Sequence, residues 1–326
     1  MKDNLLCTCV AAKITDVRRK LEILKILINY NADVNLPDKD GETPLFKCIN
    51  YATKKHDMMK VLLDNGASAN IPDHNGKYPL HQAVYYHDTS SVRMLLAGNA
   101  SVNQTDQNGQ SVLHIFCDRF REKPDLELLN ILITHEADVD IQDKDGETPL
   151  HISLKKNNCD VAMVLVENGT RVTIPDSTGE LPLHRAVEYG ELGLVRKMLQ
   201  NKASVNQTNF DGKSALHKCA HGYWHDEKPY LEILNTLISH KADVNLRDKN
   251  GKSPLHESCA AGKHDMTITL LENGASASMQ DNLGNSPLHL TVQKESSTCI
   301  GQLLDAGASV NQTNHDGQSA LHLCHS

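Results

Sequence analysis

Aromatic side chains are scarce in this chain. One Trp, four Phe and eight Tyr make up 4% of 326 residues, so an aromatic at a variable surface position stands out. No apolar run approaches the roughly 18 residues that a membrane-spanning helix needs, and residues 1–20 lack the charged, then apolar, then small order of a signal peptide. Motifs of catalysis are missing as well: there is no GxSxG, no phosphate loop and no dinucleotide glycine pattern. No pair of CxxC type occurs among the nine cysteines. Excess positive charge is absent, since the formal net charge is -8 with acids interspersed among lysines. That balance argues against a nucleic-acid groove, which requires a basic face.

What the sequence has is repetition. Ala-Ser-Val-Asn-Gln-Thr occurs at Ala100–Thr105, Ala203–Thr208 and Ala308–Thr313, and Asp-Lys-Asp-Gly-Glu-Thr-Pro-Leu at Asp38–Leu45 and Asp143–Leu150. The offsets are 103 and 105 residues for the first string and 105 for the second. A stack of modules repeats itself in this way, and a single enzyme core has no reason to. Within the long block runs a shorter period. Leucine followed by histidine stands at Leu80, Leu113, Leu150, Leu183, Leu216, Leu255, Leu288 and Leu321, with Leu45 in phase before Phe46. The steps from Leu45 are 35, 33, 37, 33, 33, 39, 33 and 33 residues.

One unit shows the parts. Asp176-Ser177-Thr178-Gly179 reads as a turn with glycine where positive φ is needed. Leu181-Pro182-Leu183-His184 opens a helix with proline in its first turn. Leu183, Ala186 and Val187 share one face, and Gly190 ends the helix. Leu194, Val195, Met198 and Leu199 mark a second helix, and Ala203-Ser204-Val205-Asn206 leads to the next turn. Neither helix buries its apolar side alone, so the units must stack as a solenoid.

These residues resemble the ankyrin repeat family. Its Thr-Pro-Leu-His signature stands at Thr148–His151, with serine variants at Ser253–His256 and Ser286–His289, and its Leu-Leu-x-x-Gly-Ala piece at Leu62–Ala67, Leu270–Ala275 and Leu303–Ala308. The resemblance implies an all-α ankyrin-repeat solenoid with β-hairpin or turn fingers, about nine helix pairs plus a terminal helix. The array is expected to run continuously over residues 1–326, in three-repeat blocks of about 6–112, 113–215 and 216–320 and a fragment, 321–326. Long connections, Cys9–Lys20, Cys117–Pro124 and Cys219–Tyr230, mark the first unit of each block. Neither end carries a polar cap, with Leu5, Leu6 and Val10 at one and Leu321, Leu323 and Cys324 at the other, which suggests a piece of a longer array. Tyr78 and Leu181 replace the capping Thr or Ser, at a cost of about 1 kcal/mol each if nothing else caps those helices. Asn31, Asn99, Glu136, Lys202 and Lys241 replace the glycine after the second helix and are expected in the left-handed region.

Histidine and cysteine invite a chemical reading. The Leu-His histidines lie on stacked units about 10 Å apart, the spacing of packed helices, and so cannot converge on one zinc ion. In the family that histidine hydrogen-bonds its motif Thr, a role that transfers to His151 beside Thr148. Cys219, His221 and His225 form the one local grouping of metal-ligand type, and two histidines four apart lack the further ligands a site needs. The cysteines read as small buried side chains within helix packing, which implies a reducing compartment, cytosol or nucleus. No catalytic residue, cofactor or metal is expected.

What remains is surface. In the family the fingers project, the first helices line a concave face, and partners dock there. Phe210 and Leu283 are apolar on the fingers, with Tyr78 and Leu181 close behind. Tyr85, Tyr86, Glu188 and Tyr189 sit five or six after the motif leucine, and Tyr223 and Trp224 lie in a long connection. These are the candidate partner-binding residues. The expected function is a non-catalytic, monomeric scaffold binding another protein, with no nucleic acid and no membrane insertion; the alternative is a spacer or tether within a larger protein. The resemblance also places Asn35, Asn103, Asn206, Asn245 and Asn311 where asparaginyl hydroxylase acts in the family.

Overall fold

A computed structural model describes residues 5–11, 17–49, 56–119, 124–222, 228–294 and 297–325. It divides into two compact units, Met1–Gly169 and Thr170–Ser326. Unit 1 holds α1 (Leu5–Ala11), α2 (Val17–Asn29), α3 (Pro44–Cys48), α4 (His56–Asp64), α5 (Pro79–Tyr85), α6 (Thr89–Ala97), α7 (Val112–Asp118), α8 (Leu126–Thr134), α9 (Pro149–Lys155) and α10 (Cys159–Glu167). Unit 2 holds α11 (Pro182–Glu188), α12 (Leu192–Gln200), α13 (Ala215–His221), α14 (Lys228–Ser239), α15 (Pro254–Ala261), α16 (His264–Glu272), α17 (Pro287–Val292), α18 (Ser297–Asp305) and a closing 3-10 helix (Ala320–His325). The nine helix pairs expected from the period are therefore present among the described residues. None of these helices is long and apolar enough to cross a membrane.

Odd-numbered helices are short because their ends are written locally. Proline sits in the first turn of α3, α5, α9, α11, α15 and α17, where its missing N–H costs nothing. The chain then turns through a left-handed residue: His87, Asn157, Gly190 or Gly262. Even-numbered helices end on the Gly66, Gly169, Gly274 and Gly307 position, and Asn31, Asn99, Glu136, Lys202 and Lys241 take it up with φ between 61° and 71°. Those five substitutions fall in the left-handed region as their alignment with glycine predicts. The two lysines and the glutamate each cost about 1 kcal/mol there.

Within each unit the helices form two layers. First helices pack on first helices along α1, α3, α5, α7 and α9, and along α11, α13, α15 and α17. Second helices follow suit along α2, α4 and α6, and along α12, α14, α16 and α18. The motif leucines, among them Leu45, Leu150, Leu216 and Leu255, are wholly enclosed between the layers.

The fingers are built on one side chain. Asp73 Oδ1 accepts the N–H of Asn75 at 2.9 Å and of Lys77 at 2.8 Å, while the Asp73 N–H donates to the Lys77 carbonyl at 2.8 Å. Asn209 and Asn314 do the same where the Asp is replaced. This closes the finger as a tight turn. The hairpin form goes no further than isolated bridges, Thr208 with Ser214 and Thr313 with Ser319, and no strand forms among the described residues. Neighbouring fingers are stitched by single backbone bonds, such as His74 N–H to the Asp40 carbonyl at 3.2 Å and Asn282 N–H to the Asn250 carbonyl at 2.9 Å. The finger glycine is needed twice over. Gly212 has φ +77°, and a Cβ on it would stand 2.8 Å from the Lys249 nitrogen of the next finger.

Candidate protein-binding surface

The motif histidines are structural. His114 Nδ1 accepts the Ser111 N–H at 3.1 Å and lies 2.8 Å from its hydroxyl. Its Nε2 then carries the proton and donates to the Glu147 carbonyl of the next repeat at 3.0 Å. His217, His256 and His289 repeat the arrangement, and Thr148 closes on His151 at 2.8 Å. Burial pushes the pKa of His81, His114, His217 and His256 below the usual value, against the pull of their backbone bonds. These four imidazoles are thus neutral ties between repeats, both ring nitrogens engaged in hydrogen bonds. At Tyr78 and Leu181 half of this cap survives, because the His81 and His184 Nδ1 atoms still accept the backbone N–H at 3.2 Å.

Asparagine supplies a second tie. Asn35 Nδ2 donates to the Gly66 carbonyl at 3.1 Å while its Oδ1 accepts the Ser68 N–H at 2.7 Å. Asn103, Asn206 and Asn245 bridge likewise. Asn70, which the repeat alignment passes over, makes the same pair of bonds at 2.8 Å. Its signal was its place 33 residues before Asn103.

Two groupings of metal-ligand type can be placed, one of them in part, among the described residues. The Cys219 thiol donates to the Tyr230 carbonyl at 3.4 Å, pinning the first turn of α14. Cys9 reaches the Lys20 carbonyl of α2 in the same way, at 3.8 Å. Burial holds the Cys219 thiol well above its usual pKa, so it stays protonated. His221 Nδ1 faces Glu257 at 2.7 Å, and His225 lies outside the described residues. Asp143, Asp145 and Glu147 bring carboxylate oxygens within 4.8 Å of one another. Asp143 Oδ1 is the finger acceptor for the other two N–H groups, and Glu147 takes Lys155 at 3.1 Å.

The candidate binding residues separate clearly. Phe210 is 60% exposed and Leu283 68% exposed, both at finger tips. Equivalent tips carry Lys39, His74, Gln107, Lys144 and Lys249, or Asp40, Asn75, Asn108, Asp211 and Asn250. The finger closes through the Asp side chain and the glycine whatever stands at the tip. Tyr85 and Tyr189 are more than a third exposed on the first-helix layer. Tyr86 stacks edge-on against Tyr85, with centroids 5.2 Å apart. Arg119 lies over the Tyr85 ring, 4.1 Å from its centroid. Glu188 is partly exposed, 3.8 Å from Arg185. Tyr78 is half-buried and tilted against His81.

Leu181 requires a correction. It is only 2% exposed, because the helix-capping position lies at the base of the finger, inside the packing, and not at the tip. It offers nothing to a partner. Tyr223 and Trp224 lie outside the described residues.

A set of buried charges emerges that the repeat pattern does not announce. Glu180, in a finger of unit 2, faces Lys218 of the next repeat at 2.6 Å and Asn209 at 2.7 Å. One repeat on, the polarity is reversed: Lys213 in the finger meets Glu257 on α15 at 2.8 Å. Burial alone would raise the Glu257 carboxyl, but the hydrogen bonds from His221 and Lys213 outweigh it and hold its pKa at about 2. Glu180 is likewise held far below the usual carboxylate range.

A family model for ankyrin repeats, three copies, matches residues 9–106, 80–176, 119–209, 183–281 and 216–314. No curated protein matches the chain in a sequence comparison.

Proposed function

The chain belongs to the ankyrin-repeat family, and on that footing we propose that it is a non-catalytic scaffold that binds another protein through its finger tips and first-helix layer. Ankyrin repeats generally mediate protein–protein interaction. The observation that carries the reading here is the exposure of Phe210 and Leu283 at tips where polar residues stand in most other fingers. The turn does not call for an apolar side chain there: the Phe210 ring rests against Gly179 of the preceding finger, but His74 takes the equivalent place against Gly41. Exposed aromatic and aliphatic anchors on a rigid backbone are what an interface rewards, because little ordering entropy is lost on binding. Tyr85 and Tyr189 add amphipathic contact surface on the helical layer.

The test is to change Phe210 and Leu283 to serine, separately and together, and to measure capture of partners alongside thermal unfolding. A scaffold of this kind loses capture with its unfolding midpoint unchanged. A spacer, whose surface serves only to separate its neighbours, keeps whatever contacts it has.

A further inference from the structure

We propose that Arg119, seated on Tyr85, is a receptor for one carboxylate, the Asp or Glu side chain of a docked partner segment. The proposal rests on the reading of the first-helix layer as a docking surface and names the chemistry that layer selects.

Arg119 caps the C-terminus of α7 and is exposed. Its guanidinium carbon lies over the Tyr85 ring, 4.1 Å from the centroid, and Nη1 donates to the Tyr85 hydroxyl at 3.2 Å. Tyr86 braces Tyr85 from the side. A long, flexible side chain is thereby held in one plane before any partner arrives, and Nη2 and Nε meet no carboxylate among the described residues. A planar fork with two free N–H groups matches the two oxygens of a carboxylate.

The surrounding charges single Arg119 out. Lys47 is paired with Asp38 and Glu42, Lys155 with Glu147, Lys156 with Asp118 and Arg93 with Glu127. Arg119 alone among these cations of unit 1 faces an aromatic ring. On the same layer of unit 2, Arg185 has Asp176 at 3.4 Å and Glu188 at 3.8 Å. A single positive charge suits a carboxylate better than a phosphate dianion, which calls for a second cation. Among the described residues Lys156, paired with the adjoining Asp118 at 2.8 Å, is already spent.

The experiment pans a randomised displayed peptide library on the full chain and measures the selected peptides against wild type, Arg119→Gln, Arg119→Lys and Tyr85→Ala. Unfolding midpoints confirm that each variant folds. Wild type should enrich Asp or Glu at one peptide position. Changing that residue to its amide should weaken binding to wild type about tenfold or more, the worth of a charge-assisted bond, and should leave binding to Arg119→Gln unchanged. Arg119→Lys should fall between the two. Peptides that bind through Tyr85 with no acidic preference would overturn the carboxylate site while the docking surface stands. Tighter binding of a phosphoserine peptide than of its glutamate counterpart would overturn it too. Selection of no peptide, or of peptides indifferent to Tyr85→Ala, would sink both the site and the surface.

Discussion

Two pairs of repeats solve one packing problem in opposite ways. Two residues after the motif leucine, the first helix presents a side chain to the neighbouring repeat. In the repeats of α7 and α9 that position holds Ile115 and Ile152, both buried; elsewhere in unit 1 it holds Gln82 and Lys47, the latter paired with Asp38 and Glu42. In the repeats of α13 and α15 it holds Lys218 and Glu257, and each is answered by a finger residue of opposite charge, Glu180 and Lys213. The leucine and histidine framework is the same in both. An apolar contact gains from burial alone and tolerates sliding. A buried ion pair loses much of its Coulombic gain to desolvation, and it is satisfied only when finger and helix are in register. The α13 and α15 repeats therefore tie their register to charge, and the α7 and α9 repeats to shape. Asp248 shows the cost: its Oδ2 finds no partner, because Glu257 stands where Lys47 and Arg185 answer the equivalent Asp38 and Asp176.

Breaking the ionic tie should have the largest effect. Glu257→Ala leaves Lys213 and His221 facing an empty buried site and should cost about 2–3 kcal/mol by denaturant titration; the usual penalty for a broken buried pair is about 3–5 kcal/mol, and it is lowered here because Lys213 and His221 reach solvent. The exchange Lys213→Glu with Glu257→Lys should recover more than half of that loss. Converting the other tie to the apolar solution of the α7 and α9 repeats, with Glu180→Leu and Lys218→Met together, should change stability by less than about 1 kcal/mol. If the double change is as damaging as Glu257→Ala, register in the α13 and α15 repeats does not depend on charge in the way described.

Acid should act on both units, then chiefly on the carboxylates. The four buried histidines have folded pKa values below the unfolded value of about 6.5. Their contribution is complete above that pH and is lost as pH falls through the lower folded values. Thermal midpoints should therefore drop between pH 7.5 and 5.5. Glu257 contributes fully above its unfolded value of about 4.3 and loses its contribution as pH falls toward its folded pKa of about 2. Glu257→Gln should make that lower arm shallower, with Glu180 supplying part of what remains, and leave the upper one intact.

Smaller effects test the caps. Lys202→Gly removes a left-handed lysine and should stabilise by about 1 kcal/mol, provided the added chain entropy of glycine does not cancel it. Phe210→Ser and Leu283→Ser should shift stability by no more than about 0.5 kcal/mol, which is what makes them clean probes of binding.

The fold was legible because its determinants are local and repeated. The Leu-His period, the proline in the first turn and the left-handed positions of Asn31, Glu136 and Lys241 each depend on a few consecutive residues. The ties between repeats were less so. Lys218 meets Glu180 across 38 residues and Arg119 meets Tyr85 across 34, separations that shift with every insertion between repeats. Leu181 was misjudged for a related reason. An apolar residue beside a finger reads as exposed in one dimension, but the capping position lies at the finger's base, where the next layer encloses it. Asn70 is less visible because Ala69 precedes it where Val stands before Asn35, Asn103, Asn206, Asn245 and Asn311.

Amide hydrogen exchange on the full chain, with and without a bound partner, tests the account most directly. Binding through tips and first helices should slow exchange in the fingers around Phe210 and Leu283 and around Tyr85 and Arg119, and leave the second helices α4, α6, α12 and α16 unchanged. Protection confined to the second helices, or protection that survives Phe210→Ser with Leu283→Ser and Tyr85→Ala, would contradict it.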